Sequence, residues 1–598
     1  MDNAYPVRLG IWINWSRGPI FGSTLTIGPE AGGFLIAFTA VFVGFVFARG
    51  WQIVSFAFHG LFASPRPQNA IYHQHQAILR NSSDAQNSIQ YLALLLWANR
   101  GTKIIFGPFL TILVAAIYTA VSTLAGGFSS KISTAVGSEV LIHSENCGLI
   151  PLGGYDHQDY YLVTQLFAET VINAASYAQQ CYSNKSTGNF GCGLFVTEKI
   201  TPTINTSASC PFQSNMCHTQ SANLLIDSGY IDSLEHLGLN APASEKMMAR
   251  YILHCGPITT SGYSSQKLYI QEGEVSDQSS FTPIDSIFRR DADVALVFLS
   301  GNGVVYTSYS DDAWYRVSPT RMTLISNQGT VSNSFYIPSE AASPMGCAVQ
   351  WQFCRSSEKN CGPVSGFQDA VGGAAPLFNT TYEEIYYANY SGDIANRYAY
   401  FTKVFENAPD LRLTLSSLGP TSLTSQSGLN SAYQGPLAPN QWQLDVTHWF
   451  DILMASFQTS FPQTVFFNPS DPELLRLHQN FNNTAADRLC KNQKIRSTAY
   501  VSFSLFGILF VYIIGFIIIL ASYLINPVAR FLFKMGYARY TYLEWTTNST
   551  LQLQRLAHEG RGFGTWSGGR DKIPVTQKGE LLGCLDITNP DHPILSTP

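Results

Sequence analysis

The sequence predicts an integral membrane protein with about three α-helical spans and a large, disulfide-bonded, mixed α+β ectodomain between the second and third spans. Two observations carry this prediction: long stretches without charged residues, and the confinement of ten of the eleven cysteines between two of those stretches. The composition agrees, because 45% of the 598 residues are hydrophobic and only 13% are charged, which is a low charge content for a soluble protein. The chain is therefore expected to be anchored in a membrane and partly folded in an oxidising compartment.

The clearest spans are residues 104–124 and 500–525, which contain no Asp, Glu, Lys, Arg or His. At ~1.5 Å rise per residue, both are long enough to cross ~30 Å of hydrocarbon. A further apolar stretch, residues 31–48, is bracketed by Glu30 and Arg49, as headgroup-level anchors would be. The apolar piece that follows Arg49 is too short to span alone and is expected to lie in the membrane interface.

Three spans place the amino-terminal segment 1–30 and residues 125–499 on one side of the membrane. The loop 49–103, with interfacial helices, and the tail 526–598 then lie on the other side. Lys and Arg residues close to the spans number seven on the loop-and-tail side and six on the opposite side. The positive-inside rule therefore does not decide the orientation.

Cysteines and N-glycosylation sequons do decide the orientation, because both are useful on the lumenal or extracellular side. Residues 125–499 contain ten cysteines, an even set, and five Asn-x-Ser/Thr sequons. This region is therefore predicted to be a glycosylated ectodomain, and Cys584 in the tail is predicted to be a cytosolic thiol. The disulfide candidates are Cys147, Cys181, Cys192, Cys210, Cys217, Cys255, Cys347, Cys354, Cys361 and Cys490, and the glycosylation candidates are Asn184, Asn205, Asn379, Asn389 and Asn482.

Ten cysteines permit 945 pairings, so the connectivity is open at this stage. Close spacing favours Cys181 with Cys192 and Cys210 with Cys217, because short loops cost little entropy to close. If all ten cysteines pair, Cys490 would tie the membrane-proximal end of the ectodomain back to its cysteine-rich half.

The ectodomain is long enough for two subdomains. We expect a cysteine-rich α+β half at residues 125–361 and a membrane-proximal half, mostly helix and loop, at residues 362–499. In the first half, apolar residues at helical spacing predict a helix from Asp156 to Cys181. The dipeptide Asn302-Gly303 between two β-branched runs predicts a hairpin.

In the second half, residues 416–439 are rich in Ser, Gly and Pro and are predicted to form a long loop. A helix is expected at residues 441–461, leading towards the membrane. The region 125–499 carries 20 Lys and Arg against 31 Asp and Glu, so its net charge is −11. This acidity argues against nucleic-acid binding.

Two acidic clusters resemble metal-binding sites but have simpler structural explanations. Asp156, His157 and Asp159 could share a cation, yet helix capping accounts for both carboxylates, and the run supplies too few ligands. Asp291 and Asp293 resemble the metal-binding carboxylates of glycosyltransferases. The adjacent arginines would neutralise these acids, so a solvated turn is the favoured interpretation.

Tyr382, Tyr386 and Tyr390 would form one stripe on a helix, which could stack on a sugar but is more typical of core packing. A glycan on Asn389 would crowd that stripe. Sequence motifs for phosphate-binding loops, dinucleotide folds, zinc proteases and serine hydrolases are missing from the sequence. No catalytic residue, metal or cofactor is therefore predicted.

Several stretches resemble a family of uncharacterised multi-pass membrane proteins that is widespread in filamentous ascomycete fungi, and the similarity extends over nearly the whole chain. The resemblance implies a fungal membrane protein with a cysteine-rich ectodomain and no assigned activity. It is carried by Gly10–Pro19, Gly22–Thr26, Gln76–Ser82, Asp227–Asp232, Cys490–Ser497, Leu543–Thr547, Leu551–His558 and Gly564–Ser567.

The leading functional hypothesis is a non-enzymatic protein of the plasma membrane or a secretory-pathway endomembrane, whose glycosylated ectodomain binds an extracellular or lumenal partner. One alternative is a membrane-anchored lumenal enzyme acting on glycans or lipids, with Asp291 and Asp293 as candidates. Another is a structural or scaffolding membrane protein. A concave pocket with converging carboxylates or histidines would favour the enzyme, and an apolar, glycan-free surface would favour binding.

Overall fold

The computed structural model describes residues 5–99, 106–133, 137–151, 156–182, 192–213, 216–259, 266–268, 270–271, 274–275, 281–301, 303–324, 333–387, 392–481 and 483–596. The chain divides into two compact units, which are described separately. The first, called the folded unit, consists of residues 1–26 and 138–502, and the second, called the helical unit, consists of residues 27–137 and 503–598.

Helices of the folded unit are α5 to α11, and the other helices belong to the helical unit. The described helices are α1 Pro29–Phe62, α2 Ala70–Asn81, α3 Ala85–Ala98, α4 Phe106–Ser133, α5 His157–Tyr177, α6 Phe367–Ala374, α7 Tyr382–Tyr387, α8 Asp393–Glu406, α9 Leu411–Leu418, α10 Gln441–Val465, α11 Thr484–Cys490, α12 Leu505–Lys534, α13 Arg539–Thr547 and α14 Thr550–Glu559.

Most strands are short, and the long ones belong to one sheet. The described strands are β1 Gly10–Ile13, β2 Ser23–Ile27, β3 Glu139–Ile142, β4 Gly148–Leu149, β5 Thr203–Ala208, β6 Asn223–Asp232, β7 Met247–Pro257, β8 Gln266–Leu268, β9 Ile270–Gln271, β10 Glu274–Val275, β11 Asp293–Ser300, β12 Val305–Tyr306, β13 Met322–Leu324, β14 Asn333–Phe335, β15 Ala342–Arg355, β16 Leu429–Asn430, β17 Tyr433–Gln434, β18 Gln479–Asn480, β19 Gln493–Arg496, β20 Val501–Ser504, β21 Cys584–Asp586 and β22 Ile594–Ser596.

Among the described residues of the helical unit, three helices are long and apolar enough to cross a membrane: Pro29–Phe62, Phe106–Phe128 and Leu505–Lys534. This confirms the prediction of about three spans by length and composition. The first helix differs from the expectation at its end, because it continues without a break through Arg49 to Phe62. The Arg49 guanidinium lies over the rings of Phe45 and Tyr523, at 5.0 and 4.8 Å, and these cation–π contacts let the helix accommodate the charge.

A six-stranded antiparallel sheet, in the order β5-β6-β7-β15-β11-β8, forms the centre of the folded unit. Cys255 and Cys347 are directly opposite each other on β7 and β15 and are joined by a disulfide. Asn302 of the predicted Asn302-Gly303 turn lies outside the described residues, and the strands on either side of it, β11 and β12, do not pair with each other as a hairpin requires. Both edges of β11 are occupied, by β15 and β8, while β12 pairs in parallel with β17 instead.

Helix α10 packs against α5, α8 and α9, and most of its side chains are buried. Its apolar residues belong to one hydrophobic cluster with residues of the sheet, from Val140 to Ile495. Residues from both sides of the expected boundary at residue 361 therefore share one hydrophobic core. A helix this buried cannot be separated from the sheet without exposing its aromatic and aliphatic side chains.

The amino-terminal segment is also part of the folded unit rather than a separate piece. Lys494 is 1% exposed, and its ammonium group donates hydrogen bonds to Asn14 Oδ1 (3.0 Å), Ser16 Oγ (2.7 Å) and Glu139 Oε2 (3.1 Å). The side chain of Asn14 in turn donates to Glu139, at 2.7 Å. The segments near residues 14 and 494 therefore meet in one buried network.

All ten cysteines of the folded unit are paired. The two short pairs suggested by spacing are present, and Cys490 is joined to Cys147 over a sequence separation of 343 residues. Cys584 is free and exposed. The disulfides are Cys147–Cys490, Cys181–Cys192, Cys210–Cys217, Cys255–Cys347 and Cys354–Cys361.

Candidate ligand-binding cavity

A cavity of about 390 Å³ opens in the folded unit. Its volume falls in the range of small-molecule sites, which is roughly 300–1,000 Å³. The end of β11 and β12 contribute to its lining, together with the last turn of α9, the chain that follows α9, and α10. The lining residues are Val297, Phe298, Leu299, Ser300, Gly301, Val304, Tyr306, Trp314, Tyr315, Leu415, Ser416, Gly419, Pro420, Ser422, Leu423, Ser425, Gln426, Leu429, Gln434 and Trp449.

None of the described residues that line this 390 Å³ cavity is charged, and we call it the apolar cavity. Its polar groups are hydroxyls and side-chain amides, which can orient a ligand by hydrogen bonds without requiring a charged group on it. Apolar and aromatic side chains supply the rest of the surface. The arrangement therefore suits a neutral, largely apolar molecule.

Two tryptophans in the cavity wall are held in fixed positions. The indole N–H of Trp314 donates to the Ser343 carbonyl at 2.8 Å, and that of Trp449 donates to the Ser422 carbonyl at 3.0 Å. Their rings meet edge to face with centroids 5.8 Å apart, a favourable aromatic geometry. Because both indoles are fixed, they would lose little conformational entropy when a ligand binds.

Behind the wall, Tyr315 joins a buried polar network. Its hydroxyl donates to Asp445 Oδ2 at 2.6 Å and lies 2.8 Å from Ser425 Oγ. Asp445 Oδ1 accepts from the Thr424 backbone N–H at 2.8 Å. Burial, and next the Asp445 carboxylate, raise the pKa of Tyr315 well above its usual value. The phenol therefore stays protonated and keeps this hydrogen bond across the physiological pH range.

Asp312 fixes the turn that presents the two aromatic residues. Its carboxylate accepts from the backbone N–H groups of Trp314 (2.9 Å), Tyr315 (3.0 Å) and Trp442 (3.1 Å). Burial raises the pKa of Asp312, while these three bonds oppose the shift. One carboxylate thus ties the cavity wall to the first turn of α10.

A second, smaller cavity of about 130 Å³ is lined by three carboxyl groups, those of Asp293, Glu406 and Asp410. We call it the carboxylate cavity. Asp293 accepts from the backbone N–H of Phe367 at 2.9 Å, and Asp410 accepts from that of Leu413 at 2.8 Å. Each of these aspartates thus binds the N-terminus of a helix.

Glu406 differs from the two aspartates. Burial raises the pKa of Glu406 to about 7, against the opposing effects of Lys403 and a hydrogen bond with Tyr386. Aromatic rings close the rest of the carboxylate cavity, with Trp351 packed against Phe405 and Phe457 at ring distances of 5.3 Å. A carboxyl group that titrates near neutral pH could exchange a proton with a bound molecule.

Asp291 and Asp293, the acidic residues considered as candidates from the sequence, have different environments in the structure. Asp291 pairs with Arg289, whose Nε donates to it at 2.8 Å, as the adjacent arginines suggested. Asp293 is 1% exposed, so the solvated turn expected for it is wrong. The β11 strand begins at Asp293 and takes its side chain into the interior.

Asp156 and Asp159 have structural partners. Asp156 caps α5 by accepting from the Asp159 backbone N–H at 2.8 Å, and the Asp159 carboxylate pairs with Arg476. Within the described ranges, no group of three His, Cys, Asp or Glu side chains is placed to hold a metal ion.

Of the glycosylation candidates, Asn205 and Asn379 lie at exposed positions of the folded unit. Asn184, Asn389 and Asn482 lie outside the described residues. Of the tyrosine stripe, Tyr382 and Tyr386 pack with their rings 4.6 Å apart, and Tyr390 lies outside the described residues.

Sequence reasoning missed the apolar cavity because its wall comes from the segment predicted to be a loop, residues 416–439. Short 3₁₀ turns at Gly419–Ser422 and Thr424–Gly428 and the strands β16 and β17 fold this segment onto the core. The available signal was the aromatic pair Trp314-Tyr315 between polar turns, since large buried aromatics often line binding sites.

Comparisons with known proteins add no assignment: the chain matches no protein-family model, and no curated protein and no solved structure is detectably similar to it.

Proposed function

We propose that this chain is a non-enzymatic membrane protein of the cell surface or a secretory-pathway endomembrane, whose folded unit is extracytoplasmic and binds a neutral, apolar molecule in the 390 Å³ cavity. The observation that carries the proposal is a cavity of ligand size with fixed aromatic walls and no charged lining residue among those described. The ligand is either a free small molecule or an apolar group of a larger partner.

Five disulfides support the extracytoplasmic placement, because such bonds persist in oxidising compartments. The sequons at Asn205 and Asn379 are exposed and are therefore accessible to glycosylation. On this proposal the unit is N-glycosylated and the free thiol of Cys584 is cytosolic. The family resemblance to fungal membrane proteins is compatible with this placement and contributes no activity.

Binding is tested with the neutral fluorescent probe N-phenyl-1-naphthylamine and the full chain in nanodiscs, with empty nanodiscs as background. The substitution Leu423→Trp fills part of the cavity. Its matched control, Leu444→Trp, changes a leucine of the same unit that is 46% exposed and does not line the cavity. We expect saturable binding to the wild type and the control, and at least tenfold weaker binding to Leu423→Trp. Equal binding by all three proteins would contradict the proposal.

The carboxylate cavity supports a second candidate function, a membrane-anchored enzyme acting on glycans or lipids. The specific observation is Glu406, because burial raises its pKa to about 7 and a general acid needs a pKa near the working pH. The test is hydrolysis of chromogenic glycosides and short-chain esters by the wild type and by Glu406→Gln. Activity in the wild type that is lost in the variant would favour the enzyme. No hydrolysis by either would favour binding alone.

A further inference from the structure

Basic side chains collect where the spanning helix α12 ends. Arg530 and Lys534 occupy its last two turns, and Arg539 opens α13. An added Cβ at Gly536 would lie 3.5 Å from Arg539 Nη2, so the guanidinium of Arg539 folds back towards the end of α12. All three side chains are exposed.

The tail returns to the same place and adds two more cations. The guanidinium of Arg570 lies 6.0 Å from the ring centroid of Phe533, and the Asp571 carboxylate lies 3.6 Å from Arg530. Lys572 follows directly and is exposed. We call the set Arg530, Lys534, Arg539, Arg570 and Lys572 the basic cluster.

A buried glutamine holds the returning turn in position. Gln552 on α14 has no solvent exposure, and its side-chain amide donates to the carbonyls of Gly568 (2.9 Å) and Asp571 (2.8 Å). The position of Arg570 and Lys572 is thus set by the folded tail, since the turn that carries them is tied to a helix.

Most nearby carboxylates have hydrogen-bond or ion-pair partners outside the basic cluster. Glu544 is 8% exposed and accepts from the Tyr72 hydroxyl at 2.9 Å. Glu559 pairs with Arg555, and Glu580 accepts from the Thr565 backbone at 2.8 Å. Of these four carboxylates, Asp571 is the one that pairs with a cation of the basic cluster, at 3.6 Å from Arg530.

Large apolar side chains surround the cluster and are exposed: Phe531 at 61%, Met535 at 58%, Tyr537 at 65% and Ile573 at 62%. Cations beside exposed apolar and aromatic groups at the end of a spanning helix match the chemistry of the lipid headgroup region, where charge and acyl chain meet.

We propose that the basic cluster at the end of α12 binds the headgroups of anionic phospholipids in the adjacent leaflet, with the tail supplying Arg570 and Lys572 to the site. The position at the end of a membrane-spanning helix selects a lipid, because the site is continuous with the lipid-facing surface of α12. Each basic residue near an anionic surface strengthens binding by roughly fivefold, so five residues give a marked preference over zwitterionic lipid.

The test uses the full chain in uncharged detergent, titrated with a short-chain fluorescent phosphatidylserine and with the matched phosphatidylcholine, followed by fluorescence anisotropy. The double substitution Arg570→Gln/Lys572→Gln removes the charges that the tail contributes. We expect tighter binding of the serine lipid than of the choline lipid, and about a 30-fold loss in the double variant. The substitution Asp571→Asn removes the opposing carboxylate and is expected to tighten binding.

The matched control is Arg66→Gln/Lys578→Gln, which removes two exposed cations outside the cluster and is expected to change affinity by less than about threefold. Inorganic phosphate at 10 mM serves as the competing arm. Equal affinity for both lipids, an equal loss in the control, or full displacement by phosphate alone would overturn the proposal, the last by indicating a site for free phosphate.

Discussion

Removal of the Lys494 side chain in Lys494→Met is expected to detach the amino-terminal segment from the folded unit. The ammonium group has three polar partners within 3.1 Å, among them Glu139. The substitution leaves Glu139 and Asn14 facing each other in a largely buried space, since the Glu139 side chain is 16% exposed. Removal of one partner from a buried ion pair costs roughly 3–5 kcal/mol. Because Glu139 retains some solvent contact, we expect about 3 kcal/mol.

Thermal unfolding of the full chain, followed by fluorescence, provides the first measurement. A loss of about 3 kcal/mol corresponds to a fall in Tm of roughly 3–4 °C for a unit of this size. Hydrogen exchange provides the second. Backbone protection should decrease around residues 8–15, because the Arg8 amide donates to Leu141 and the Trp15 amide to Asn240, and both bonds depend on the docked segment.

The matched control is Lys491→Met, three residues away. Lys491, which follows the last residue of α11, is 28% exposed and pairs with Asp487 of that helix, an interaction expected to contribute about 0.3–0.5 kcal/mol. Its Tm should change by about a degree or less. If Lys494→Met and Lys491→Met lower the Tm equally, and residues 8–15 keep their protection, the buried network does not anchor the amino-terminal segment.

Three further outcomes follow from the structure. Burial raises the pKa of Glu406 to about 7. The stability that the protonated side chain contributes is therefore complete below the unfolded-state pKa of 4.5 and is lost as the pH rises through 7. Glu406→Gln should unfold at a higher Tm than the wild type at pH 8 and at the same Tm at pH 4. Loss of the Cys147–Cys490 disulfide, which closes a separation of 343 residues, should destabilise the unit about twice as much as loss of Cys354–Cys361, which closes 7, as measured by the Tm of the paired alanine variants. In sealed cells, Cys584 should react with a membrane-impermeant maleimide only after permeabilisation, and endoglycosidase treatment should increase the gel mobility of the chain; labelling of Cys584 without permeabilisation would reverse the proposed orientation.

The spans could be predicted because a helix in hydrocarbon must be apolar on every face, which composition alone reveals. Their ends could not, because they depend on side-chain contacts. The first helix passes Arg49, whose charge is accommodated by aromatic rings. The third begins at Leu505 rather than at residue 500, because Val501–Ser504 forms a strand.

The folded unit was harder to predict because its long-range pairings leave little local trace. Asn302-Gly303 resembled a hairpin turn, yet the pairing of β11 was determined by distant strands. Close spacing identified two short disulfides, whereas Cys255–Cys347 depends on the register of β7 and β15. The burial of Asp293 could not be predicted from local sequence either, because it follows from the packing of α6. The Asp293 carboxylate accepts a hydrogen bond from the first backbone N–H of that helix.

The apolar cavity illustrates why a ligand-binding site is harder to predict from sequence than a fold class. Its walls come from segments more than a hundred residues apart, such as those that carry Tyr315 and Trp449. Its lining lacks the charged or metal-binding residues that make motifs recognisable. Only the fold brings these neutral side chains around one space.

Ligand binding by the folded unit is tested most directly by an electron cryo-microscopy map of the full chain purified from its native membrane. We expect glycan density on Asn205 or Asn379 and a continuous, non-protein density in the cavity beside Trp314, Tyr315 and Trp449. A cavity filled by the side chains of the protein itself, or containing only separate water molecules, would contradict the proposal that the folded unit binds an apolar ligand.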